Sequence, residues 1–251
     1  MSIYQYTESF KIKYCDVDFK DECKVSTVLS LMEEVASGSA DELGFGYAYI
    51  QPRGLAFMVS NLCVEFLQPI RLGALVEVKT WPLPPTKVTF QREYLLASTQ
   101  DEVLCKASSR WCLVDMKTGK IVPSKLIENQ DYSTYNTTQV FEDVKWKIPT
   151  FAREEGALGF TITIANSEYD HNLHVNNTRY ADYCLNCFSL AELFMLRLKS
   201  FSISYIKQCK EGDTLSFYRK KSEDGRYLVH GWNQSGELVV QSWIGFEEDY
   251  A

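Results

Sequence analysis

The chain has 251 residues, 45% of them hydrophobic and 14% aromatic, and 26 basic against 33 acidic side chains give a net charge of -7. That supplies apolar surface for one large or two small domains, and it excludes nucleic acid or an anionic membrane as the main partner, since both require clustered positive charge. No run of about 18 apolar residues reads as a membrane span, and the first residues, Met-Ser-Ile-Tyr-Gln-Tyr-Thr-Glu, lack the basic and apolar regions of a secretory signal. A cytoplasmic protein is expected, with its eight cysteines as reduced thiols.

Residues Tyr6 to Tyr14 alternate, with Phe10, Ile12 and Tyr14 on one face, which predicts a strand. A polar loop from Asp16 to Lys24 follows. Val28, Leu29, Leu31, Met32, Val35, Ala36, Ala40 and Leu43 then make a broad helical stripe, stopped by Gly44 and Gly46. Strand-like runs come next, Leu55 to Phe66, Leu75 to Trp81, Val88 to Ser98 and Glu102 to Asp115, with turn signals at Leu72-Gly73, Pro82 to Pro85 and Lys117-Thr-Gly119. Residues 125–158 hold Ser, Thr and Asn with few periodic apolar positions, so they read as a linker between a unit over 1–124 and a unit over 159–251.

The second unit repeats the order of the first. A strand is expected over 160–166, a polar loop over 167–175, a helix over 177–197, and strands over 201–209, 213–220, 226–233 and 236–247. A gap-free shift of 150 lays Tyr14-Cys-Asp-Val-Asp-Phe on Ile164-Ala-Asn-Ser-Glu-Tyr and Val25 on Val175. A shift of 139 lays Phe66-Leu-Gln-Pro-Ile-Arg-Leu-Gly73 on Tyr205-Ile-Lys-Gln-Cys-Lys-Glu-Gly212, and one of 135 lays Glu102-Val-Leu-Cys on Glu237-Leu-Val-Val. Three matches in one order indicate duplication of an α+β unit, a long helix wrapped by a curled antiparallel sheet.

The polar loop of the second unit carries the concentrated chemistry. In an extended segment Asp170, Asn172 and His174 share one face while His171 and Leu173 point away. A carboxylate, an amide and an imidazole together suit acid–base work. Asn176 and Asn177 are N-cap residues for a helix whose stripe is Tyr180, Cys184, Cys187, Phe188, Ala191 and Phe194. Backbone N–H groups from Val175 to Asn177 would then sit at the positive end of the helix dipole. At the shift of 150 the trio falls opposite Lys20, Glu22 and Lys24, so the first copy reads as a relic of the site. Cys184 and Cys187 with His171 and His174 imitate a metal site, but Cys184 lies about 10 Å of helix rise from the loop, so no metal or cofactor is expected. His171 and His230 are read as structural or exposed.

The stretch Asp170-His-Asn-Leu-His-Val-Asn-Asn-Thr-Arg-Tyr180 closely resembles the Asp-x-Asn-x-His-Val-Asn-Asn signature of acyl-acyl carrier protein thioesterases, a family of tandem hot-dog units. Glu34-Val and Leu43-Gly-Phe within Phe10 to Phe45, and the runs Val76 to Trp81 and Lys106 to Trp111, are similar to the family's first helix and sheet. The resemblance implies Asp170, Asn172 and His174 as catalytic residues. Through Tyr205-Ile-Lys-Gln-Cys209, set against the family's Tyr-x-x-Glu-Cys, it adds Gln208 and Cys209. Gln208 stands where a carboxylate is usual, and glutamine can hold water or imidazole but cannot accept its proton.

What the resemblance implies is hydrolysis of fatty acyl thioesters on acyl carrier protein, ending chain elongation with release of free fatty acid. His174 would be the base on water, its tautomer set by Asp170 or Gln208. Asn172 would hold the water or the carbonyl oxygen, and Cys209 is a rival nucleophile. A hot-dog β-hydroxyacyl thioester dehydratase or hydratase, and a non-catalytic acyl-binding protein, are the alternatives. The acyl tunnel is expected along Val28, Met32, Val35, Ala36, Leu43, Met58, Val59 and Trp81, which fit plain core packing equally well. The carrier is acidic in this family and would need a local basic surface, for which Lys207, Lys210, Arg219, Lys220 and Lys221, or Lys106 and Arg110, are the candidates. A tandem unit leaves assembly into a homodimer optional.

Overall fold

The computed structural model describes residues 3–127 and 132–248. The chain divides into two compact units, Met1–Leu62 with Leu67–Val144, and Cys63–Phe66 with Lys145–Ala251. Residues 128–131 of the expected linker, and the outermost residues of the two expected units, lie outside the described residues.

In the first unit β1 (Tyr6–Lys11) leads to α1 (Val25–Glu42) and the short α2 (Tyr47–Ile50), then β2 (Leu55–Phe66), β3 (Leu75–Pro82), β4 (Thr89–Ser98), β5 (Val103–Asp115) and the short β6 (Lys120–Val122). The sheet order is β1-β3-β4-β5-β2, with β6 on β5. Helix α1 buries Val25, Val28, Leu29, Met32, Val35, Ala36 and Ser39, residues at helical spacing, against β3 and β1. It stops where Gly44 turns left-handed, φ 79°. The expected tunnel residues Val28, Met32, Val35, Val59 and Trp81 are all buried, packed as core. Their aliphatic burial holds the helix on the sheet at roughly 25 cal/mol per Å².

The second unit contains β7 (Ala157–Thr163), α3 (Arg179–Leu185), α4 (Leu190–Phe194), β8 (Leu196–Tyr205), β9 (Thr214–Lys221), β10 (Tyr227–Asn233) and β11 (Leu238–Glu248), in sheet order β8-β11-β10-β9-β7. The helix expected over 177–197 is therefore two short helices, and β8 begins five residues before its expected start at 201. Ser189 causes the break. Its hydroxyl accepts the Glu192 N–H at 3.2 Å, and the Glu192 carboxylate accepts the Ser189 N–H at 2.8 Å, which starts a new helix in the middle of the old one.

The duplication is written in the backbone. Gly73 N–H donates to Ile12 O and Ile12 N–H to Ala74 O, both at 2.9 Å, and Gly212, Ile164 and Asp213 repeat the pair at the same lengths. Both glycines are left-handed, at φ 80° and 84°, where a side chain would be strained. Leu67 and Gln68 share Leu104 O at 2.9 and 3.1 Å, as Ile206 and Lys207 share Val239 O at 2.9 and 3.1 Å. The shifts of 139 and 135 read from the sequence are thus the structural ones.

Residues 138–151, between the two sets of elements, are anchored rather than loose. Trp81 Nε1 donates to Thr138 O at 2.9 Å, and Val140 N–H donates to the buried Glu93 carboxylate at 3.1 Å. Further on, Ile148 and Phe151 pack with Leu228, Trp232 and Trp243.

Candidate functional site

The polar stretch does not run extended. A 3₁₀ turn at Asn166–Glu168 leads into a bridge between Tyr169 and Val175, and the loop closes with Asp170 N–H to His174 O at 2.8 Å and Leu173 N–H to Asp170 O at 3.1 Å. Asp170 Oδ1 accepts the N–H of Asn172 at 2.8 Å and of His174 at 3.1 Å. A short carboxylate bonding its own backbone two and four residues on is what makes aspartate a turn former. The expected common face of Asp170, Asn172 and His174 is corrected accordingly: the alternation rule fails because the segment is a tight turn. Asp170 holds the backbone that carries Asn172 and His174. The Asn172 side chain is exposed, while Asp170 and His174 are half-buried.

Leu173, at the tip, has φ 60°. Three-residue hairpin loops commonly end on such a left-handed residue, normally Gly, Asn or Asp, and a leucine there costs about 1–2 kcal/mol. The first unit builds the same loop. Asp18 N–H donates to Glu22 O at 2.8 Å, Asp18 Oδ1 accepts Lys20 N–H at 2.8 Å and Glu22 N–H at 3.2 Å, and Asp21 is the left-handed residue at φ 57°. Superposing these bonds puts Asp18, Lys20 and Glu22 opposite Asp170, Asn172 and His174. The loops correspond at a shift of 152, two more than the gap-free match gave. The counterpart of His174 is thus Glu22, which is ion-paired with Arg71 at 3.2 Å.

Three tyrosines stitch the second motif to this loop. Tyr205 Oη donates to Asn177 O at 3.0 Å, Tyr169 Oη accepts Glu211 N–H at 2.6 Å, and the Tyr180 hydroxyl bonds the Cys209 thiol. Gln208 is exposed on the stitched segment, while Cys209 is 3% exposed. Burial pushes the Cys209 thiol up, against the opposing pull of the Tyr180 hydrogen bond, so it stands as a thiol at neutral pH rather than as the nucleophilic thiolate. Burial likewise raises the Tyr180 hydroxyl. The structure thus joins the segment carrying Gln208 and Cys209 to the loop carrying Asp170, Asn172 and His174. Sequence reasoning missed Tyr169, Tyr180 and Leu173. The signal for Leu173 was the spacing of Asp18 and Asp21, repeated as Asp170 and Leu173.

Two family models match the chain, the acyl-ACP thioesterase N-terminal domain over residues 3–128 and the acyl-ACP thioesterase C-terminal domain over residues 156–248. The chain belongs to the acyl-ACP thioesterase family. A chloroplastic acyl-acyl-carrier-protein hydrolase of Cuphea viscosissima is 24% identical over 215 residues, covering 81% of this chain and 52% of its own length. A chloroplastic oleoyl-acyl carrier protein thioesterase of Coriandrum sativum is 20% identical over 229 residues, covering 84% and 61%. The chain therefore spans about half to three-fifths of the length of these curated relatives. Among solved structures, an acyl-ACP thioesterase from Bacteroides thetaiotaomicron matches with TM-score 0.87 at 21% identity, covering 97% of this chain and 98% of that one. The 12:0-ACP thioesterase from Umbellularia californica matches at 0.85 and 18%, covering 98% of each. These likenesses carry the tandem hot-dog fold.

In this acyl-ACP thioesterase family chain the helix after the signature is short. Asn176 Oδ1 accepts both the N–H and the hydroxyl of Thr178, at 2.8 and 2.7 Å, and Thr178 rather than Asn176 or Asn177 precedes α3. With seven residues, α3 offers less dipole than the long helix expected there. Cys184 in α3 and Cys187 in the turn just after it are both buried, and burial raises both thiols, Cys187 to about 12. Of the basic candidates, Lys207 pairs with Glu237, Arg219 with Glu192 at 2.7 Å, and Lys220 with Glu155 at 3.1 Å. Lys221 lies over the Tyr227 ring and Lys106 over Phe141, while Lys210 is exposed. No helix among the described residues is long and apolar enough to cross a membrane.

Proposed function

We propose that this chain hydrolyses fatty acyl thioesters carried on acyl carrier protein, releasing the free acid and the carrier thiol. The observation that carries this reading is the turn that fixes the backbone of Asn172 and His174 on one carboxylate, on a loop stitched to the Gln208 segment, in a chain of this family. His174 takes a proton from water as the oxygen bonds to the thioester carbonyl carbon. The tetrahedral intermediate then collapses with cleavage of the C–S bond, and the imidazolium returns its proton to the departing thiolate. Asn172, exposed beside it, holds the carbonyl oxygen or the water by hydrogen bonds. Gln208 orients water or the imidazole and takes no proton. Asp170 acts as a positioning residue through the turn. Cys209 stays a thiol, so attack is by water.

The test is free thiol release from acyl-carrier and acyl-coenzyme A substrates of graded chain length. His174→Ala is expected to lower kcat by about a thousandfold or more with the melting temperature kept. Cys209→Ala is expected to stay within a few-fold of the parent. Full activity in His174→Ala removes the assignment, and loss of turnover in Cys209→Ala replaces water attack by an acyl-enzyme. A hydrated product without thiol, or saturable binding with no product, moves the chain to the lyase or the acyl-binding class.

A further inference from the structure

The tip of the signature loop combines two features that folding alone does not favour. Leu173 is held left-handed, φ 60°, where the matching residue of the first unit is Asp21 at φ 57° in a loop with the same hydrogen bonds. Aspartate tolerates that conformation because its short polar side chain bonds locally, whereas leucine is strained in it. Leu173 is also 80% exposed, so most of its apolar surface is left uncovered by the described residues. A residue that is strained and also exposed gives the fold nothing in return, and such positions gather at functional sites. Its neighbours on either side are Asn172 and His174. The adjoining stitched segment shows Ile206, 49% exposed, and the exposed Lys210.

We propose that Leu173 is a contact residue for the protein carrier, the apolar point on which the carrier seats when its thioester is delivered to His174. The inference rests on the hydrolase reading for its substrate and adds where that substrate is gripped. Two observations choose the occupant. The side chain points to solvent, so it meets the part of the substrate that stays outside, which is the carrier body and not the acyl chain. It is one residue from the base, so whatever brings the thioester passes it.

The experiment compares the parent with Leu173→Asp, which installs the residue of the first unit, and Leu173→Gly, which relieves the backbone. Each is assayed on one acyl group carried either by acyl carrier protein or by N-acetylcysteamine, a short thiol with no protein body. The expected result is an unchanged or raised melting temperature in both variants. The ratio of kcat/KM on the carrier substrate to kcat/KM on the short thioester should fall about tenfold, through KM. An unchanged ratio overturns the proposal, and so does an equal loss on both substrates, which would mean that Leu173 acts through the geometry of His174. Titration of fluorescently labelled acylated carrier onto each variant reads the contact independently of cleavage. If the parent cleaves neither substrate, the hydrolase reading fails, while equal carrier affinity in parent and variants fails this one.

Discussion

At the scale of single residues, the two copies of one turn separate folding from chemistry. Asp18 and Asp170 make the same pair of backbone hydrogen bonds, but only the second fixes a histidine. Replacing either by alanine removes the one carboxylate oxygen that accepts two backbone N–H groups in a half-exposed loop, so each variant should lose about 1 kcal/mol in urea unfolding. Turnover should divide them. Asp170→Ala displaces Asn172 and His174 and is expected to lower kcat by about 10- to 100-fold, the scale of an ångström-level misplacement, while Asp18→Ala keeps the parent rate. Equal kinetic losses in the two would show that the turn serves stability alone. The residue types in this site were legible from the signature. Their arrangement was not, because alternation describes strands, and a left-handed leucine carries no composition signal.

At the scale of elements, strands were easier to read than helix continuity. The run from Leu55 to Phe66 is β2 to the residue, since β-branched and aromatic residues between turn signals leave few other solutions. The second helix was read as continuous because its apolar stripe spans the break, while the capping pair Ser189 and Glu192 that divides it was visible in the sequence and outweighed by the stripe. The segment over β10 holds a further consequence. Phe151 stacks on His230 with ring centroids 4.2 Å apart, and His230 is 0% exposed. Burial pushes this imidazole down to about 4 from 6.5, opposed by the Pro149 carbonyl. A histidine with a depressed folded pKa contributes stability that is complete above 6.5, where both states are neutral. That contribution is lost as pH falls from 6.5 toward 4, because the unfolded chain binds the proton first. The effect is about 3 kcal/mol between those limits. Glu192 and Asp224, held at about 2, lose their contributions at lower pH, so the windows separate. His230→Phe keeps the stack and should flatten the fall in stability between pH 7 and 4.5 measured by urea titration. A variant as acid-sensitive as the parent would place the effect elsewhere.

At the scale of the whole molecule, duplication was the most legible property. Two of its three sequence shifts, 139 and 135, recur as matching hydrogen bonds between segments far apart in sequence. The third was off by two residues at the loop that matters most. There the only shared identity is Asp18 with Asp170, and the gap-free frame that matched Val25 with Val175 outweighed it. The sequence also reads as two consecutive blocks, but the units are not consecutive. Cys63–Phe66, the end of β2, belongs with Lys145–Ala251, and within that unit Ser202 Oγ bonds Cys63 Sγ at 3.4 Å. A fragment of residues 145–251 therefore lacks four residues of its own unit, Cys63, Val64, Glu65 and Phe66, three of them buried in the intact chain. Leaving such apolar positions unfilled costs roughly 2–5 kcal/mol for each large side chain lost, comparable to the net stability of a small domain. The fragment is expected to show no cooperative melt and weak near-ultraviolet circular dichroism, while the full chain shows both. A sharp transition in the isolated fragment would mean that the second unit is complete without the end of β2.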